Sequence, residues 1–147
     1  MQETVIVPGH KAPQFAFQTD DGRNISRDDF GGKLLVLNFW ATWCQGCVEE
    51  MPSLDSFAAE MRNEGVVVAT VSVDRNEQAY RRFVQQLRPR FLTMRDPESE
   101  LAASFGTFRF PETYVIDRSG RVRQKYVSYR NWTDGAIVSE VRKLLLD

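Results

Sequence analysis

This 147-residue chain reads as an α/β fold with a mixed central sheet flanked by helices, on three observations. Leu34-Leu35-Val36-Leu37-Asn38-Phe39-Trp40 and Val66-Val67-Val68-Ala69-Thr70-Val71-Ser72-Val73 are near-continuous apolar runs of strand length. Runs apolar on both faces fit central parallel strands that are covered on each side. Between them Val48, Met51, Leu54, Phe57, Ala58 and Met61 recur at helical spacing, which gives strand, helix, strand with a right-handed connection. Turn and capping chemistry punctuates the remainder at short intervals.

The elements follow in order. Residues 1–8 form an extended leader to a single domain, with Pro8 and Pro13 as breakers. Phe15 to Thr19 and Arg23 to Ser26 pair as a small hairpin around Asp20-Asp21-Gly22. After the second long strand, Asp74 and Glu77 have capping-box spacing, and Tyr80, Phe83, Val84 and Leu87 form an apolar stripe. Phe91 to Met94 is a short strand, and Asp96-Pro97 opens a short helix through Leu101, together a small central βα insertion. Thr113 to Asp117 and Arg121 to Val127 are strands joined by Arg118-Ser119-Gly120. Thr133 caps a last helix with Ile137, Val141, Leu144 and Leu145 on one face.

Composition narrows the functional classes. With 19 basic and 20 acidic side chains the net charge is −1, so no basic excess points to nucleic acid or an anionic membrane. No apolar run approaches the roughly 20 residues that span a bilayer. Met1 to Pro8 has neither a basic nor an apolar targeting region. It reads as a cytoplasmic start or as a chain whose signal or anchor lies outside this sequence. A structural zinc site usually needs four Cys or His ligands, and the chain has only Cys44, Cys47 and the distant His10. We therefore expect no metal.

Both cysteines lie in Trp43-Cys44-Gln45-Gly46-Cys47. Cys-x-x-Cys alone is compatible with two unpaired structural thiols. Here it sits directly after a buried strand, where a helix begins, and that is the context redox chemistry requires. Backbone N–H groups and the helix dipole at that position favour a thiolate. Cys47 lies about one turn further, on the same side and within reach of a disulfide. Cys44 is then the exposed nucleophile, and Cys47 the more buried thiol that resolves the mixed disulfide.

Four separate stretches resemble the thioredoxin superfamily, in particular its TlpA/ResA-like branch. They are Gly9-His10-Lys11-Ala12-Pro13-Gln14-Phe15, Leu37 through Cys47, Glu50-Met51-Pro52-Ser53-Leu54, and Phe110-Pro111-Glu112-Thr113-Tyr114-Val115-Ile116-Asp117. The resemblance spans about residues 9–146. It implies a thioredoxin-like three-layer fold and a thiol–disulfide oxidoreductase, often extracytoplasmic and membrane-tethered. The expected cofactor set is empty apart from the Cys44–Cys47 disulfide. The expected partners are a disulfide-containing protein substrate and a thiol electron donor, such as a membrane reductase. Some relatives reduce apocytochrome cysteines before haem attachment.

The resemblance also carries site residues. Pro111 would be cis and lie across from Cys44; lacking an N–H, it leaves the preceding backbone open to a substrate strand. Phe110 would touch substrate, Trp43 would form the rim, and Trp40 belongs to the core. Phe105 and Phe108 read as core or loop anchors, and His10 as structural or exposed. Glu50, three residues after Cys47, shares its helical face, and relatives use an acid there. A partly buried carboxylate at that place could exchange protons with the thiols. Its neighbour Glu49 illustrates the plainer alternative, a solvated helix glutamate. Pro52 would kink the first helix.

Two departures stand out. Thioredoxins carry a buried Asp where this chain has Asn38, and Glu50 is the candidate to replace it. Gln45-Gly46 between the cysteines differs from the proline many relatives carry, and Gly46 could loosen the helix start by about 0.5–1 kcal/mol. Two other functions compete. A peroxiredoxin-type peroxidase would need Pro and Thr where the chain has Leu37 and Ala41. A non-catalytic binding module would have no use for both cysteines.

Overall fold

A computed structural model describes residues 5–147. Residues 1–4, half of the expected leader, lie outside the described residues. Beyond them Ile6 is already buried, and its N–H donates to the Phe105 carbonyl at 3.4 Å.

A two-stranded antiparallel hairpin comes first, β1 (Ala16–Gln18) and β2 (Asn24–Ser26). The main sheet holds β3 (Leu34–Trp40), β4 (Val66–Ser72), β5 (Leu92–Arg95), β6 (Glu112–Asp117) and β7 (Val122–Val127), in the order β5-β4-β3-β6-β7. β3, β4 and β5 run parallel; β6 and β7 are antiparallel to their neighbours. The sheet is therefore mixed, with the long apolar run of β3 at its centre and every residue of β3 buried.

The helices are α1 (Gln45–Met61), α2 (Glu77–Leu87), α3 (Glu100–Ser104) and α4 (Gly135–Leu145). Two successive right-handed crossovers, β3-α1-β4 and β4-α2-β5, move in the same direction along the sheet, so α1 and α2 fall on one face. α4 joins them there. Leu34, Val36 and Trp40 of β3 pack with Met51, Phe57, Tyr80, Trp132 and Val141 on that side. The return through α3 crosses the opposite face, where Leu35, Leu37 and Phe39 meet Phe15, Ile25, Ala102, Phe105 and Tyr114. The alternation of β3 side chains thus separates two cores and gives three layers.

Several boundaries differ from the sequence reading, each for a local reason. α2 is capped by Asn76, whose Oδ1 accepts the Ala79 N–H at 3.0 Å, because Asp74 is engaged elsewhere. α4 is capped by Asp134, whose Oδ1 accepts the Ala136 N–H; the Thr133 hydroxyl turns back to Asn131. Pro97 does not open a helix. α3 starts at Glu100, yet the Asp96 carboxylate still accepts the N–H groups of Glu100, Leu101 and Ala102. The N-cap position itself falls to Ser99, whose side chain makes no capping bond, so Asp96 serves the helix start from three residues upstream of its cap. α1 runs through Pro52 as one element. The hairpin covers the β5 side of the sheet: Asp20 accepts the Tyr80 hydroxyl at 2.5 Å, and its N–H donates to the Thr93 carbonyl.

Candidate active site

β3 delivers the chain to the C-terminal end of the parallel strands, and Ala41-Thr42-Trp43 turns it into α1. Cys44 is the N-cap of α1: its Sγ lies 3.2 Å from the Cys47 N–H, in the place a capping oxygen takes. Cys44 and Cys47 form a disulfide with Cα atoms 5.2 Å apart. Cys44 is partly exposed, whereas Cys47 is fully buried.

The chain crosses in front of the disulfide at Phe110 and Pro111. Their peptide bond is cis, and the Phe110 carbonyl oxygen stands 3.5 Å from Cys44 Sγ. Trp43, 67% exposed, meets the Phe110 ring edge-to-face at 5.9 Å between centroids. Gly46 lies so close to this strand that a Cβ there would be 3.8 Å from Pro111 Cδ, in ordinary contact. Gln45 is exposed and donates its amide to Glu49, so Glu49 is a solvated helix carboxylate.

Glu50 is different. It is fully buried one turn beyond Cys47, and it accepts the Asn38 amide at 3.1 Å and the Arg130 backbone N–H at 3.0 Å. Burial pushes its carboxyl up to about 7 against the pull of these donors and of the Arg130 charge. The Trp132 indole N–H also acts on this carboxylate but makes no hydrogen bond of ordinary geometry. Asn38 donates from the same nitrogen to Thr113 Oγ1 at 2.9 Å, while its Oδ1 is buried without a partner.

The structure brings Cys44, Cys47, Trp43, Phe110 and Pro111 together at one end of the sheet, with Glu50 beneath in α1. Trp40 is core, packed against Tyr80 and Phe83. Phe105 is buried as expected, but Phe108 is 57% exposed, because the loop before Pro111 leaves the core at Thr107. His10 is exposed, its Nδ1 near the Val7 N–H.

One buried carboxylate escaped the sequence reading. Asp74, two residues past the end of β4, accepts the Thr42 N–H, the Thr42 hydroxyl at 2.7 Å and the Ser72 hydroxyl. Arg95 closes the turn by donating to the carbonyls of Asp74 and Arg75. The loop that presents Cys44 is thus pinned to the end of β4. The readable signal was an acid immediately after the apolar run that ends at Val73, and helix capping offered a competing explanation for it.

Comparison with known proteins bears on this geometry. The AhpC/TSA family model matches residues 8–125. The chain belongs to the AhpC/TSA family. Among curated members of similar sequence, thiol-disulfide oxidoreductase ResA from Bacillus thuringiensis subsp. konkukian is 32% identical over 117 residues, 80% of this chain and 68% of that protein. Thioredoxin-like protein YneN from Bacillus subtilis is 32% identical over 128 residues, 86% of this chain and 75% of YneN. A Chlorobium tepidum structure assigned as thiol:disulfide interchange protein DsbE superposes with a TM-score of 0.85 at 27% identity, covering 95% of this chain and 99% of the other. This AhpC/TSA member therefore has a thioredoxin-like fold and is a thiol–disulfide oxidoreductase acting through its Cys-x-x-Cys pair. Among the described residues no helix is long and apolar enough to cross a membrane.

Proposed function

We propose that this oxidoreductase works as a reductant of protein disulfides in an extracytoplasmic compartment, and that a separate thiol donor, such as a membrane reductase, returns it to the dithiol form. The observation that carries the reading is the unequal exposure of the two sulfurs at the head of α1: Cys44 is open to a partner and Cys47 is enclosed.

In the reduced protein the Cys44 thiolate, stabilised by the α1 N-terminus, attacks one sulfur of a substrate disulfide. A bond forms between Cys44 and that sulfur, the substrate S–S bond breaks, and the released substrate thiolate takes a proton. Cys47 then attacks Cys44 Sγ, which closes the protein disulfide and frees the second substrate thiol. Two electrons and two protons have passed to the substrate. Phe110 and Pro111 hold the substrate strand across Cys44, and Trp43 covers its flank. Glu50 takes up the proton that Cys47 must lose before it can attack, a role its position one turn away and its pKa near 7 support. Substrates of this chemistry include proteins whose paired cysteines must be reduced before haem attachment.

Cys47→Ser tests the reading. It should accumulate a stable mixed disulfide with a disulfide-containing protein, and Cys44→Ser should not. Absence of any trapped complex, together with no insulin reduction by the parent protein, overturns it.

A further inference from the structure

Three segments border the disulfide, and each brings an arginine. Arg75 follows Asp74 and lines an open cleft of about 520 Å³ with Trp43, Asn76 and Phe110. Arg109 precedes Phe110 and is exposed. Arg130 ends the segment that starts at Val127, opposite Glu112 in the β6–β7 ladder; within it the Ser128 N–H donates to the Pro111 carbonyl at 2.9 Å. Among the described residues none of these three guanidinium groups forms a salt bridge, although nine form elsewhere; the Arg130 charge also acts on the buried Glu50 carboxylate, and Arg75 and Arg109 have no such partner. The exposed acid nearest the disulfide along the chain is Glu49, already hydrogen-bonded by Gln45. A chain of net charge −1 therefore presents a positive rim around its reactive pair.

The same rim is apolar where it is not charged. Trp43, Phe108, Val127 and Tyr129, four of the seven large hydrophobic side chains most exposed to solvent, lie on these segments or beside Cys44. Exposed aromatic side chains interleaved with arginine are the composition of a contact surface rather than of a solvated one.

We propose that this rim selects its protein substrates by charge: it takes disulfides flanked by acidic residues, which the Arg75, Arg109 and Arg130 guanidinium groups steer onto Cys44. The proposal rests on the reductant reading above and names the substrate class of the same site. Electrostatic steering acts on encounter, so the preference appears in kcat/KM and fades with salt.

The test uses the pre-reduced protein in single turnover, reading peptide thiols released, so that each protein dithiol oxidised yields one peptide disulfide reduced. The probes are three peptides with the same disulfide flanked by Asp/Glu, by Ser or by Lys, and neutral hydroxyethyl disulfide. The acidic peptide should react about tenfold faster than the lysine peptide at low ionic strength. That ratio should collapse in 0.5 M salt and invert in Arg75→Glu/Arg109→Glu. Equal rates for all three peptides at low salt overturn the charge selection and leave the reductase reading intact. Failure to reduce any peptide or hydroxyethyl disulfide overturns both.

Discussion

The Asn38 amide donates to the Glu50 carboxylate at 3.1 Å, joining the central strand to the helix that carries both cysteines. In this chain the strand supplies an amide donor and the helix supplies the buried carboxylate that accepts it. Glu50 is accordingly the buried group whose ionisation is tied to this site.

Its raised pKa sets a stability signature. In the unfolded chain the carboxyl titrates near 4.5, and in the fold near 7. Below 4.5 both states hold the proton and the group costs nothing. Between 4.5 and 7 the folded state binds the extra proton, so stability falls as pH rises, and above 7 the loss is complete at about 3 kcal/mol. The oxidised parent should lose roughly that much more than Glu50→Gln between pH 4 and pH 8, measured by urea unfolding. Parallel pH dependences would show that Glu50 does not titrate in this way.

Asp74 should prove a positioning residue for Cys44. Asp74→Ala leaves the Thr42 N–H and two hydroxyls without their acceptor, and stability should drop by roughly 1.5–3 kcal/mol. Asp74→Asn keeps the shape and part of the bonding. It should recover most of the stability, while the rate of Cys44 alkylation in the reduced protein still differs from the parent. An alkylation rate unchanged in both variants would confine Asp74 to folding.

Gly46 is replaceable by alanine on steric grounds, since the new Cβ meets only Pro111 Cδ at contact distance. The helix start should gain up to about 1 kcal/mol, read as a higher denaturant midpoint. A loss of stability instead would mean that the α1 start needs glycine for its backbone.

Peroxide turnover should be negligible. The positions seven and three residues before Cys44 are Leu37 and Ala41, both buried and apolar, and neither can orient a peroxide oxygen. Sustained hydrogen-peroxide consumption by the reduced protein would contradict this.

Much of this was legible in the chain. β3 and β4 announced themselves as apolar runs because both faces of the sheet are covered, and α1 through the stripe from Val48 to Met61. Cys44 and Cys47 were readable because their spacing and strand-to-helix context are local, whereas Pro111, 64 or more residues away in the chain, came only with the family resemblance. What escaped depends on contacts between segments far apart. The Thr42–Asp74 clamp spans 32 residues and the Glu50–Arg130 bond 80, and no periodicity encodes either. Asp74 reads as a cap in sequence because an acid three residues before a helix fits both roles locally. Phe108 was misread because burial of an aromatic in a loop depends on where the loop leaves the core.

The central claim is that Cys44 and Cys47 cycle as a reductant, and the reduction potential of that couple tests it most directly. Equilibration with glutathione or dithiothreitol buffers at pH 7 should place it near thioredoxin's value of about −270 mV. A potential near −120 mV, where the dithiol form is the stabilised one, would make the protein an oxidant and contradict the account.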